Sequence, residues 1–430
     1  MYTLIKGGTV LNPPGGLFKK MDILIQEGVI TEIAPGIERE TAQVIDASNL
    51  LVVPGLVDPH VHLREPGGEG KETIRSGCAS AAAGGYTSVA CMPNTRPVMD
   101  NRLIVEHVKS TAAREGVVRV YPIGAITRGS LGEELAEMGL MVQQGIVAVS
   151  DDGQPVDSAS IMLSAMQYAA MFDLPVISHC EERSLAQGGS MHYGLQSTLL
   201  GVKGIPDAAE AVMASRDILL AELAGARLHI AHVSSAKTVD FIKMARAKGL
   251  KVTAEVTPHH LILTDEDIDG FDTSFKMNPP LRSREDRSAL REALRDGTID
   301  MIATDHAPHS ILDKDVEFEE APFGVVGLET ALPLVFTELV EPGILTLEQA
   351  VFALSCSPAR FLGIEGGSIQ VGVQADLTLI NPKAEKVVDK NTFYSKGKNT
   401  PFHGRKVRGL PVMTLVGGRV VMKDGLVKGA

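Results

Sequence analysis

The feature that most limits how this chain can fold is an alternation through its middle. Between residues 55 and 365, short apolar runs rich in β-branched residues take turns with longer stretches of helical periodicity. The candidate strands are Val57–His62, Thr87–Met92, Val118–Gly124, Ile146–Ser150, Pro175–His179, Leu228–His232, Val252–Val256 and Ile299–Thr304. Helical patterns lie between them, for example Ala208–Ala224, Lys237–Lys248 and Arg284–Arg295. Strands alternating with helices predict a parallel sheet covered by helices. About eight such units over roughly 300 residues is the repeat and size of an α/β protein of the (β/α)8 TIM-barrel type. A doubly wound open sheet is the structural alternative, but no GxGxxG follows the first strand to support it.

The two ends of the chain have another texture. Leu4-Ile5-Lys6-Gly7-Gly8-Thr9-Val10 and Asp22–Ile30 at the start, and Ala375–Ile380 and Met413–Val420 near the end, read as short strands with glycine turns. They predict a small β-sandwich domain built jointly from residues 1–54 and 366–430, around a barrel of residues 55–365. A length of 430 residues, which alone would allow about three average domains, then accommodates one barrel with an appendage.

Composition removes several function classes. With 53 acidic and 41 basic residues the formal net charge is −12, so the chain as a whole has no electrostatic reason to bind nucleic acid or an anionic membrane. Hydrophobic residues at 44% and charged residues at 22% describe an ordinary globular chain rather than a disordered one. Cys78, Cys91, Cys180 and Cys356 have no CxxC spacing, which points to a reducing, cytoplasmic compartment. The first residues lack a basic segment followed by an apolar core, so no signal peptide is expected. No apolar run approaches the ~18 residues that span a bilayer.

In a barrel of this type, functional residues lie at the C-terminal ends of the strands. Five candidate strands end in residues that bind metals: Asp58-Pro59-His60-Val61-His62, Asp151-Asp152, His179, His232 and Asp305-His306. Positions i and i+2 of a strand share a face, so His60 and His62 converge. A lone histidine at a strand end is ordinarily structural, but this many strand ends in phase are hard to reach by chance. Imidazole and carboxylate donors together suit zinc. They exceed the needs of one tetrahedral ion, so two metals sharing a carboxylate is the economical arrangement. Coordination brings the pKa of water from about 15.7 to near 7 and polarises carbonyl oxygens, which is chemistry for hydrolysing amides and cyclic amides.

Polar residues around the same ends read as substrate contacts. Arg64 follows the HxH pair in His62-Leu63-Arg64-Glu65-Pro66-Gly67 and suits bidentate capture of a carboxylate. Asn94 ends the second strand, Asn278 sits after the seventh, and His309 lies four residues beyond Asp305 as a second anion partner. His259 and His260 read as structural or supporting residues, and His107, His192, His229 and His403 as structural or surface ones. Cys180 points away from the face of its neighbour His179 and is not read as a nucleophile.

Together these motifs resemble the bacterial type I dihydroorotases of the amidohydrolase superfamily. The resemblance rests on Asp58–Gly67, Met92-Pro93-Asn94-Thr95, Ala303–His309, Phe323-Gly324 ahead of Gly327-Leu328-Glu329-Thr330, and Ser395–Phe402, and runs over nearly the whole chain. It implies interconversion of N-carbamoyl-L-aspartate and L-dihydroorotate in pyrimidine biosynthesis. It also implies that His60 and His62 hold one zinc ion, His179 and His232 the other, and Asp152 bridges them. Asp305 would be both a ligand of the first ion and the general acid/base. Arg64, Asn94 and His309 would form the pocket for the substrate carboxylate, and Asn278 with the Phe323-Gly324 backbone would hold the ring amides. Many superfamily members bridge their metals with a carboxylated lysine, but here the fourth strand ends Val149-Ser150-Asp151-Asp152-Gly153. Strand parity leaves Asp151 and Asp152 both open as the bridge, and likeness to the family favours Asp152.

A homodimer and a complex with aspartate carbamoyltransferase are the expected partnerships. The competing functions are the hydantoinase, dihydropyrimidinase and allantoinase types, whose substrates lack a ring carboxylate, and an inactive scaffold. Scaffold relatives typically have metal ligands replaced, whereas here every candidate ligand is present. The acidic segment Ile311–Pro322 after the eighth strand is a candidate mobile loop.

Overall fold

In the computed structural model, which describes residues 2–429, the alternating runs become eight short parallel strands. They are β1 (Leu56–Val61), β2 (Tyr86–Cys91), β3 (Arg119–Pro122), β4 (Val149–Ser150), β5 (Val176–Ser178), β6 (Leu228–Ile230), β7 (Val252–Val256) and β8 (Met301–Ile302). Every residue of β1, β2 and β5 is buried, because one face of each strand meets the barrel interior and the other meets helices.

The ring closes through successive neighbours. Pairings such as Val57↔Ser88, Val89↔Val120, Val149↔Val176, Ile177↔His229, Leu228↔Val252 and Glu255↔Met301 join six of the junctions. Single bridges complete the other two: Gly124↔Val149 between β3 and β4, and Val61↔His306 between β1 and the segment leaving β8. At that last seam the His62 N–H donates to the His306 carbonyl at 2.9 Å. The Thr304 N–H donates to Asp58 Oδ1 at 3.2 Å.

Several strands stop earlier than their apolar runs predict. The run Ile299–Thr304 yields β8 over Met301–Ile302 only, and Leu228–His232 yields β6 over Leu228–Ile230. The reason lies in the residues just past the ends: His232 has φ 32° and Asp305 φ 48°, in the left-handed region that breaks the pleat. The helices begin and end close to their predicted bounds, at Asp207–Ala224, Ala236–Ala247 and Arg284–Asp296. Ser235 and Ser283 cap the second and third with their side chains, and Gly225 ends the first in a left-handed turn.

The chain ends share one sheet. Its N-terminal strands are Tyr2–Asn12, Leu17–Gln26, Val29–Ala34, Ala42–Asp46 and Leu51–Pro54; its C-terminal strands are Leu377–Val387, Lys406–Val416, Arg419–Lys423 and Leu426–Val427. The two groups meet where Leu377–Val387 runs antiparallel to Leu51–Pro54. Register breaks between Ile5 and Gly8 in the first strand, where Gly7 takes φ 75°. The bulge bends that strand so that its front half pairs with Ala42–Asp46 and its rear half with Leu51–Pro54. The sheet thereby folds over its own core of Ile5, Val10, Ile23, Ile25, Val52, Leu377 and Leu415.

Two segments bear on the barrel mouth. Within the range expected to form β domain, Ser395 donates to Glu72 Oε2 at 2.5 Å, and Asn399 reaches Ala307 and Gly324 at 2.9 Å each. This stretch lies against the barrel because its polar groups complete bonds there. Residues 311–322, expected as a mobile loop, carry a short helix at Ile311–Lys314. The Lys314 ammonium ties them back by donating to the carbonyls of Thr273, Lys276 and Pro322 at 3.0, 3.1 and 2.7 Å. No helix among the described residues is long and apolar enough to cross a membrane.

Gly84, between β1 and β2, shows how tightly this end is packed: a Cβ there would meet the Leu328 carbonyl oxygen at 2.0 Å. Gly84→Ala should destabilise the protein by about 1–3 kcal/mol, read as a lowered midpoint of thermal unfolding. Gly70→Ala, whose Cβ meets nothing within 4 Å, should leave the midpoint unchanged.

Candidate metal centre and active site

The strand ends bring the predicted ligands to one place. His60 projects from β1 and His62 lies just beyond it; Asp152, His179, His232 and Asp305 follow β4, β5, β6 and β8. Asp152 sits among all four imidazoles. Its Oδ1 is 3.4 Å from His60 Nε2, 3.4 Å from His232 Nε2 and 3.7 Å from His179 Nδ1. Its Oδ2 is 3.4 Å from His62 Nε2. Asp305 Oδ1 lies 3.0 Å from His62 Nε2 and 3.5 Å from His60 Nε2. Asp151, which parity left as an alternative, turns away and accepts from the Ile126 N–H at 2.8 Å and from Thr127.

The donor set fits a metal. His60, Asp152 and His232 form one group, and His60, His62 and Asp305 another, with ligand atoms inside each within 4.8 Å of one another. His60 Nε2 and Asp152 Oδ1 are buried without a hydrogen-bond partner, and such groups are costly to bury unless something pairs with them. His179 Nδ1 and His232 Nε2 are 3.0 Å apart, a spacing held by one shared proton or by a common cation.

The local field asks for positive charge. Burial works against a charged His60, yet Asp152, Glu255 and Asp305 override it and hold its pKa well above the usual imidazole value. Burial likewise opposes charge on Asp305, and His60, with His62 and His232, pulls its pKa down to about 2. Both site carboxylates are therefore ionised. Arg64, His232 and Asp305 all have positive φ, a conformation costing such residues of order 1–3 kcal/mol. All three residues line one cavity at the barrel mouth.

The substrate candidates surround a cavity of about 150 Å³ lined by His62, Asp152, His179, His232 and Asp305 together with Arg64, Asn94, Asn278, Phe323 and Gly324. A larger cavity of about 490 Å³ shares Gly153, Asn278 and Phe323 with it. Arg64 spends one donor on the Pro308 carbonyl, Nε to O at 3.3 Å, its only hydrogen bond among the described residues. Asn94 Oδ1 accepts from His62 Nδ1 at 2.9 Å, which leaves its amide NH2 free. Asn278 donates to Glu181 Oε2 at 2.8 Å, which leaves its carbonyl oxygen free.

Two of the expected substrate contacts also carry bonds within the protein. The His309 ring is engaged through both nitrogens. Its Nε2 donates to the Phe323 carbonyl at 2.8 Å, and its Nδ1 accepts from Lys71 at 3.3 Å. Burial first, then Arg64, Lys71 and Lys314, lower its pKa to about 3. It stands behind Phe323, outside the cavity lining. The Gly324 N–H is also spoken for, donating to the Lys276 carbonyl at 3.0 Å. At the Phe323-Gly324 edge each carbonyl already accepts one hydrogen bond, from His309 and from Asn399.

Residues 49–238 match the profile of the dihydro-orotase-like family, and residues 199–422 match that of the amidohydrolase family. A dihydroorotase of Pelotomaculum thermopropionicum is 57% identical over 428 residues, covering 100% of both chains. One from Acetivibrio thermocellus is 52% identical over 421 residues, covering 98% of this chain and 99% of its own. The chain belongs to the dihydroorotase family. Like other dihydroorotases of the amidohydrolase superfamily, it is a cyclic amide hydrolase with a TIM barrel and a β domain drawn from both termini. Its fold is also similar to that of the L-hydantoinase (dihydropyrimidinase) of Arthrobacter aurescens. The TM-score is 0.91 at 29% identity, covering 100% of this chain and 98% of the other.

Within this dihydroorotase-family site, one participant was not singled out in the sequence. Glu255, in β7, accepts from His60 Nδ1 at 2.6 Å and from the His232 N–H at 3.3 Å, and pairs with His229 Nε2 at 3.1 Å. A carboxylate inside the strand run Val252-Thr253-Ala254-Glu255-Val256 was the available signal, since a buried charge requires partners. Its bond fixes the His60 tautomer so that Nε2 presents a lone pair to the cluster. His229, read as structural, holds the other carboxylate oxygen. Asp58 accepts from the His60 N–H at 3.1 Å and fastens β1 to Thr304. Glu255→Gln should weaken metal binding about 10–100-fold, measured by chelator competition with metal analysis of the dialysed protein.

Proposed function

We propose that this chain closes N-carbamoyl-L-aspartate to L-dihydroorotate, and reopens the ring, at two zinc ions held at the mouth of the barrel. His60, His62 and Asp305 would hold one ion, His179 and His232 the other, and Asp152 both. The support for a shared carboxylate is that Asp152 turns Oδ2 to His62 and Oδ1 to His60, His179 and His232. Imidazole and carboxylate donors support zinc as the metal. When bound, the ions supply activated water at neutral pH and polarise the scissile carbonyl.

The chain's own residues carry the rest. Asp305, ionised and 3.0 Å from His62, accepts a proton from the attacking water and delivers it to the ring nitrogen that leaves. In the closing direction it takes a proton from the carbamoyl nitrogen and passes it to the departing carboxylate oxygen, which leaves as water with one further proton taken up from solvent. The free donors of Arg64 pair with the substrate carboxylate, helped by the amide NH2 of Asn94. The free oxygen of Asn278 and the Phe323 and Gly324 carbonyls, each with a lone pair to spare, accept from the ring or ureido N–H groups. His309 acts through Phe323, whose carbonyl it holds.

The observation that carries this reading is that Arg64 lines the same small cavity as the imidazole–carboxylate cluster. The likeness to hydantoinase structures favours a second reading, a hydrolase of carboxylate-free rings. In that case the Arg64 guanidinium would face a substrate with nothing for it to bind. A homodimer, or an assembly with aspartate carbamoyltransferase, belongs to the same proposal, and exposed Leu219 and Leu223 on one helix supply an apolar face for either. Four unpaired, buried cysteines support a reducing, cytoplasmic setting.

An ultraviolet assay of dihydroorotate opening, before and after chelation and with metal content measured alongside, tests the function. Turnover that is lost on chelation and restored by zinc is expected; no metal and no turnover overturns the reading. Asp305→Asn should retain most of its metal and lose about 10²–10⁴-fold in turnover in both directions; near-normal turnover would remove Asp305 from its role. Arg64→Met should raise KM for dihydroorotate about tenfold or more while leaving any activity on a carboxylate-free ring unchanged. Equal losses on both favour the hydantoinase reading.

A further inference from the structure

Asn399 lies almost a hundred residues beyond the last cavity-forming strand, yet it is tied to both sides of the cavity edge. Its side chain is buried and its hydrogen bonding is complete on the donor side. One amide hydrogen goes to the Ala307 carbonyl and the other to the Gly324 carbonyl, each at 2.9 Å. Its Oδ1 accepts from the His309 N–H at 3.0 Å, and its own carbonyl accepts from the Val326 N–H at 2.9 Å. Ala307 and Gly324 both line the small cavity, and they belong to different segments, one leaving β8 and one following residues 311–322. Asn399 therefore ties these two stretches of backbone together at the Ala307 and Gly324 carbonyls, beyond the His306–Val325 bridge that pairs them.

We propose that Asn399 is a positioning residue that sets the carbonyl edge of the substrate pocket. Gly324 has φ 145°, and a Cβ there would lie 2.7 Å from the Ala307 oxygen. The two backbones thus approach closely, joined directly by the Ala307 N–H donating to the Val325 carbonyl at 2.9 Å, and Asn399 adds a side-chain tie at the cavity edge itself. Two carbonyl oxygens pointing into one region repel each other, and a primary amide is the group that satisfies both with one nitrogen. The Gly324 carbonyl keeps a second lone pair for a substrate N–H, aimed by the bond to Asn399. His309, whose backbone Asn399 also holds, fixes the Phe323 carbonyl in the same edge. Asn399 touches neither the metal-binding residues nor the reacting atoms, so it acts through Ala307, Gly324 and His309.

This proposal rests on the dihydroorotase reading, and the experiment separates the two. Asn399→Asp keeps size and the Oδ1 acceptor but replaces both N–H donors with an oxygen facing two carbonyls; Asn399→Ala removes the clamp without adding charge. Both are compared with the wild-type enzyme for KM and kcat on dihydroorotate, bound metal and thermal midpoint. The expected result is KM raised about tenfold or more in a folded variant with wild-type metal content, and a smaller change in kcat. Unchanged KM in a folded variant overturns the proposal. So does a loss confined to the active fraction or the thermal midpoint, or failure of both variants to fold, since Asn399 is then only a structural brace. Absence of dihydroorotate turnover in the wild-type enzyme overturns the functional reading instead.

Discussion

The concentration of buried charge at the barrel mouth governs the rest of this structure. Asp152 and Asp305 are ionised among His60, His62, His179 and His232, all largely removed from water. An isolated buried carboxylate would take up a proton rather than stay charged. Here the opposing imidazoles, and the metal ions that the donor set fits, make ionisation the favourable state. The surroundings are arranged for that end. Glu255 and Asn94 each take the Nδ1 proton of an HxH imidazole, so that both Nε2 atoms face inward. A net charge of −12 over the whole chain says nothing about this region, where the substrate is itself an anion.

A second constraint follows from barrel closure. β8 and β1 are joined by one bridge and by the Asp58–Thr304 bond, which brings Asp305 beside His60 and His62 although more than two hundred residues separate them. Strands end where a residue must leave the pleat to reach the centre, and His232 and Asp305 do so in left-handed conformations. The backbone strain at these positions and the shortness of β6 and β8 are the same fact. Loops then complete the pocket from outside: Lys314 holds the segment before Phe323, and the stretch around Asn399 returns from the terminal β domain to brace its edge.

Much of the site was legible because strand ends in a barrel are few and functional residues gather there. The HxH pair, His179, His232 and Asp305 were read from that rule alone. Asp152 was not separable from Asp151, since alternation fails where a strand ends; the Thr127 backbone and hydroxyl capture Asp151 and leave Asp152 to face the histidines. Glu255 escaped notice because a single carboxylate in an apolar strand carries no spacing pattern. Asn399 escaped because its partners are backbone carbonyls, which every residue has. The burial of His309 and the cations Arg64, Lys71 and Lys314 that lower its pKa were not visible in the sequence.

The amino-acid sequence by itself determined the barrel, the β domain at both termini and the set of residues able to bind metal. Hydrophobic period, turn residues and donor chemistry are local properties, and they survive in one dimension. Tertiary structure alone decided which aspartate faces the imidazoles, which nitrogen of each ring points inward, and which polar groups remain free for a substrate. Those outcomes depend on partners far apart in the chain, and a hydrogen bond exists only when both of its ends have been placed.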